Sequence, residues 1–177
     1  MNLAAGTYRL GPDDGALTVR TGRSGAAAKA GHDLVIDVTS WKATLQVGDD
    51  TSIELTADPT SLRVREGKGG MQALGDDDMA NIEKTIDDEV LEGQTIAFHS
   101  TVVRAAEGAL AVEGELTLGG TTRPIAFDVA FDGDRISATA VVTQTDFGIK
   151  PYSTLFGALN VADDVEVALD AALPQSR

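Results

Sequence analysis

The chain has 177 residues, with 28 Asp and Glu against 14 Lys and Arg, and carries a formal net charge of −14. A surface this acidic is repelled by phosphate backbones and anionic membranes, which excludes nucleic acid as a partner class. The absence of cysteine removes disulfides, thiolate nucleophiles and zinc ribbons together.

The length fits one domain, residues 1–177, with a sizeable core. No run approaches the roughly 18 apolar residues that a membrane-spanning helix needs. The opening Met-Asn-Leu-Ala-Ala-Gly-Thr has neither the basic nor the apolar region of a secretory signal, so a cytoplasmic protein is expected.

In chain order, a short strand over Thr7 to Leu10 is followed by the turn Gly11-Pro12-Asp13-Asp14-Gly15 and a second strand containing Leu17 and Val19. Gly22 to Gly31 is small and flexible and reads as a loop. Leu34, Ile36 and Val38 mark a strand that runs to Trp41 and on through Leu45 and Val47. Ile53, Leu55 and Ala57 form the next, broken by Asp58-Pro59 and resumed by Leu62 and Val64.

Met79, Ile82, Ile86 and Val90 are spaced by three, four and four, which is one face of a helix. Asp76, Asp77 and Asp78 precede it, where carboxylates cap free N–H groups, and Gly93 ends it. The triple aspartate lacks the spacing of a calcium loop.

Strands then return at Ile96–Phe98, Leu110–Val112, Leu116–Leu118, Ile125–Phe131 and Ile136–Val142, and finally around Val165, Val167 and Leu169. Strict alternation puts the apolar members of each on one face. Short connections such as Asp132-Gly133 make neighbouring strands antiparallel. About eight such strands and one main helix predict an all-β fold, an up-and-down barrel or a sandwich; a closed barrel of this size holds one small ligand. Small residues on the inward face, Ala138 and Ala140, favour a cavity over a filled core.

Five segments, in order, resemble the YceI-like proteins. They are Tyr8-Arg9-Leu10-Gly11-Pro12-Asp13, Gly31-His32-Asp33-Leu34, Ile96-Ala97-Phe98-His99-Ser100, the strand–turn–strand run from Gly114 to Pro124, and Thr145-Asp146-Phe147-Gly148-Ile149. The resemblance spans Gly6 to Pro174 and implies a lipocalin-like antiparallel β-barrel that binds polyisoprenoids or related long-chain amphiphiles. Many members carry an arginine shortly before the Asp-Phe-Gly triplet, where this chain has Gln144. Many are exported with a signal peptide, which this sequence does not show.

Together these observations predict a protein that takes the chain of an isoprenoid or other long-chain lipid into its interior, whether polyisoprenoid, isoprenoid quinone or fatty-acid derivative, for carriage, storage or stress protection. The expected liners are Leu17, Val19, Leu34, Ile36, Leu55, Phe98, Leu118, Phe127, Val129, Ala140 and Val142. His32 shares the inward parity of Leu34 and Ile36, and Gln144 and Asp146 continue that of Val142; His32, Gln144 and Tyr152 are polar candidates at the mouth. The aromatic-rich connection carrying Phe147, Tyr152 and Phe156 either plugs one barrel end or covers a ligand. His99 is out of phase and should point outward.

No cofactor, metal or catalytic residue is implied. Two alternatives stand beside binding: a lipid isomerase or cyclase with His32 or Asp146 as general base, and a filled barrel serving as an interaction module, a homodimer among its forms.

Overall fold

The computed structural model describes residues 3–154 and 159–174. Its strands, in chain order, are β1 (Gly6–Leu10), β2 (Gly15–Arg20), β3 (Arg23–Ser24), β4 (His32–Val38), β5 (Trp41–Val47), β6 (Ser52–Ala57), β7 (Leu62–Gly69), β8 (Ile96–Ala106), β9 (Ala109–Leu118), β10 (Thr121–Asp132), β11 (Arg135–Thr143), β12 (Ser153–Thr154), β13 (Leu159–Val161) and β14 (Asp164–Ala172). Between β7 and β8 lies the helix α1 (Asp76–Thr85), which runs on into a π-helical segment, Ile86–Leu91.

Eleven of these strands form one antiparallel sheet, and β12, β13 and β3 form a small second one. In the large sheet three pairs run end to end. Leu10 faces Ala43 and Leu17 faces Val38, so β1 and β2 lie as one ribbon along β5 and β4. Likewise β4–β5 is paired with β7–β6, Val38 opposite Leu62 and Trp41 opposite Ala57. Thr39 N–H to Ser61 O and Asp58 N–H to Ser40 O, both 2.9 Å, carry the ladder across that bend.

Eight ribbons result, and the pairing comes full circle. It passes from β6–β7 through β8, β9, β10 and β11 to β14, then through β2 back to β4 and β7. This is the lipocalin-like antiparallel curl expected from the alternation, with more and shorter strands than about eight because turns and bends interrupt the ribbons. The segment read as a loop, Gly22 to Gly31, contains β3 and a 3-10 turn, Ala28–Ala30.

The ring is laddered unevenly: β10 meets β11 only from Val129 to Asp132, and a wider gap lies beside β7. β6 pairs with β8 only from Glu54 to Ala57, and among the described residues no strand lies against the outer edge of β7. There α1 packs instead. Glu83 Oε1 accepts from the Val64 N–H at 2.8 Å, filling the place of a ladder bond on an edge that would otherwise be left unpaired. At the helix start, Asp78 Oδ2 accepts from the Gly75 N–H at 3.0 Å, one of the caps foreseen from the aspartate run.

Alternation sorts the two faces of the wall. Outside, ion pairs connect neighbouring strands: Arg20 with Glu166 at 2.7 Å, Arg104 with Glu113 at 2.8 Å, His99 with Glu115 at 3.1 Å, and Arg135 with Asp170. His99 therefore points outward, as its parity required. Inside, packing is dense at the hairpin end. Val112 is 1% exposed and Ala171 fully buried, with Tyr8, Trp41, Leu110 and Ile136 around them.

Candidate ligand cavity

Above that dense end the interior opens. Leu55 and Val167 have paired strands on both sides, Ile125 and Phe127 sit mid-strand on β10 against β9, and Leu34 and Leu118 share the same inward parity; yet all six are only half-buried. Apolar side chains that face inward and still expose surface must face empty space. That space is a cavity of about 560 Å³, inside the roughly 300–1,000 Å³ typical of small-molecule sites.

Its wall is overwhelmingly aliphatic. Of the residues expected to line it, Leu17, Val19, Leu34, Ile36, Leu55, Phe98, Leu118, Phe127, Val129, Ala140 and Val142 all border the space, and so do His32, Gln144 and Tyr152. Phe147 does not. The strand parity stops at Thr143, a 3-10 turn takes over from Gln144 to Phe147, and Phe147 is buried beside Val142 and Ile149, backing the wall rather than forming it. The same turn leaves Asp146 exposed, which corrects the inward placement expected from parity. Phe156 lies outside the described residues.

Sequence reasoning missed two groups. Ile125, Val165, Val167 and Leu169 share the parity of named liners on the same strands, so the signal was present and passed over. Ile82, Ile86 and Val90 form the apolar face of the helical segment and roof the cavity. Their spacing announced a helix, while no local pattern says what that face covers.

Phe98 and Phe127 shape one wall. Their ring centroids are 5.2 Å apart with planes at 55°, a tilted contact across the intervening β9. Gly114 on β9 makes this possible, since a Cβ there would fall 2.6 Å from the Phe98 ring and 2.4 Å from His99 O.

Polar groups gather at the helix end, where β2, β4, β12 and β13 begin or finish. Thr21, Arg23, His32, Gln144, Tyr152 and Thr154 border the space there. His32 Nε2 donates to Gln72 O at 2.6 Å, and Gln144 Nε2 donates to Ala162 O at 3.0 Å. Thr21 Oγ1 accepts from the Leu34 N–H at 3.2 Å. Among the described residues no carboxylate borders the cavity, and no cluster of His, Asp and Glu is arranged to hold a metal. No helix among them is long and apolar enough to cross a membrane.

The chain's antiparallel barrel has counterparts among solved structures. Its fold is similar to that of BcnA from Burkholderia cenocepacia, with 15% identity, TM-score 0.59, and coverage of 87% of this chain and 94% of that one. It is similar too to the YCEI protein of Campylobacter jejuni, with 12% identity, TM-score 0.57, and coverage of 80% and 85%. At such identities the likeness concerns the fold alone. No curated protein sequence matches the chain. The family model described as the YceI-like domain, however, matches residues 17–173, nearly the whole barrel from β2 through β14. On that match, the chain belongs to the YceI-like family.

Proposed function

We propose that the protein binds the hydrocarbon chain of a long-chain amphiphile (a polyisoprenoid, an isoprenoid quinone or a fatty-acid derivative) inside the barrel, and carries, stores or shields it. The single observation that supports this most is the aliphatic cavity of about 560 Å³ whose polar groups gather mainly at one end. A tail inside it leaves water, at about 0.8 kcal/mol per buried methylene. Ten methylenes contribute about 8 kcal/mol before the costs of association, against the 8.2 kcal/mol or so of a micromolar complex. A chain longer than that has gain to spare.

Binding rather than turnover fits the wall. A lipid isomerase needs a proton acceptor aimed at the chain; among the described residues no carboxylate borders the cavity, Asp146 is exposed on its turn, and His32 lies at the rim with Nε2 held on Gln72 O. An interaction module with a filled interior would not leave mid-strand residues such as Phe127 half-buried.

The test is organic extraction of the protein purified from its host, followed by mass spectrometry. Recovery of one long-chain species in near-stoichiometric amount supports the reading. Recovery of none, from protein that also fails to take up any added long-chain lipid, overturns it.

A further inference from the structure

The polar end of the cavity is not uniformly neutral. Arg23, on the two-residue strand β3, is the one permanently charged side chain bordering the space among the described residues. Its position is built. Nη1 donates to Gly31 O at 2.5 Å, and Nε lies 3.1 Å from Asp33 Oδ1. These contacts take two of the five guanidinium N–H donors.

The chain opposite is shaped to admit it. Gly69 and Gly70 both have positive φ, at 82° and 75°. A Cβ on Gly69 would fall 2.5 to 2.8 Å from the guanidinium, and one on Gly70 would fall 2.3 to 2.8 Å from the His32 ring. Two successive glycines thus clear room for two nitrogen-bearing side chains at the rim.

We propose that Arg23 makes this mouth selective for an amphiphile whose head group is an oxyanion, a carboxylate or a phosphate. This rests on the binding role proposed above and narrows it to a ligand class. The planar guanidinium matches two oxygens of such a group at once, which a hydroxyl or a quinone carbonyl cannot exploit. Among the described residues no carboxylate borders the cavity to oppose it. The Asp33 pairing is a weak competitor: that side chain is 45% exposed, and ion pairs open to water contribute little.

The net charge of −14 acts the other way, slowing the approach of an anion. At physiological salt that field fades over about 8 Å, while a contact with Arg23 is made at hydrogen-bond distance and is screened far less. Local attraction therefore decides affinity, and the global field affects the on-rate.

The experiment compares hexadecanoic acid with hexadecanol by competition against a fluorescent fatty-acid probe at pH 8, in the full chain, Arg23→Gln and Asp33→Asn. The expected result is at least a tenfold preference for the acid in the native protein, falling to near unity in Arg23→Gln. In Asp33→Asn, acid binding tightens severalfold and alcohol binding is unchanged. The second variant keeps Arg23 and so reads the head group even if Arg23→Gln folds poorly. Equal affinity for acid and alcohol in the native protein, or parallel loss of both in Arg23→Gln without any gain in Asp33→Asn, overturns the proposal and leaves Arg23 a structural tie. Binding of neither compound removes the occupied cavity itself, and the head-group claim falls with it.

Discussion

At the scale of single residues, the alternation makes some roles readable and hides others. His32 and His99 were separable by parity alone, and the structure puts one at the cavity rim and the other against Glu115 outside. Parity fails where the strand stops. Gln144 still borders the cavity, but Asp146 and Phe147 follow the geometry of a 3-10 turn, which a period of two cannot describe. Arg23 was invisible because its two-residue strand sits in a Gly- and Ala-rich stretch with no pattern to read.

Asp58, by contrast, has a role that follows from its sequence neighbours. It precedes Pro59, and its Oδ1 accepts from both Thr60 N–H at 2.9 Å and Thr60 Oγ1 at 2.8 Å, capping the turn between β6 and β7. The Thr60 hydroxyl first, and then the backbone N–H, hold the Asp58 carboxyl below its ordinary value of 3.8. A carboxyl depressed on folding adds stability above its unfolded pKa and loses it as pH falls through the lower folded value. The native protein should therefore be more stable than Asp58→Ala at neutral pH, with the gap in Tm narrowing below about pH 4. A gap that stays constant down to pH 2 would show that the charge plays no part.

Whole elements were legible where their period is long and regular. The helix, the hairpins and the two interrupted ribbons are written in spacing and in Gly-, Asp- and Pro-bearing turns. What spacing omits is the partner. Nothing in the spacing of Met79, Ile82, Ile86 and Val90 states that the last three roof a cavity, or that Glu83 on the same helix completes the open edge of β7. That contact has a testable consequence. Glu83→Ala removes the acceptor of the Val64 N–H in a residue only 8% exposed, at a cost of about 1–3 kcal/mol in urea denaturation. Glu83→Gln keeps a carbonyl oxygen and should recover most of it. Equal losses in the two variants would assign the effect to the charge and its 3.9 Å approach to Arg63 rather than to the capped edge.

For the molecule as a whole, the fold leaves the barrel filled at one end and open at the other. Hairpin-end residues such as Val112 and Ala171 stabilise the ring by close packing, while Ile125, Phe127, Ala138 and Ala140 face a space they do not fill. An aliphatic chamber that excludes water and stays empty gives up the dispersion contacts of its lining; an occupant of matching chemistry restores them. Lipid binding should accordingly stabilise the protein by mass action, in proportion to ligand concentration over its dissociation constant.

The most direct measurement is native mass spectrometry of delipidated protein titrated with hexadecanoic acid, alongside Ala140→Phe, whose ring would occupy part of the chamber. A saturable one-to-one adduct in the native protein is expected, much reduced in a variant whose Tm is within a few degrees of it. No saturable adduct, or an Ala140→Phe variant that unfolds because its site was already packed, would contradict the existence of a usable hydrocarbon chamber.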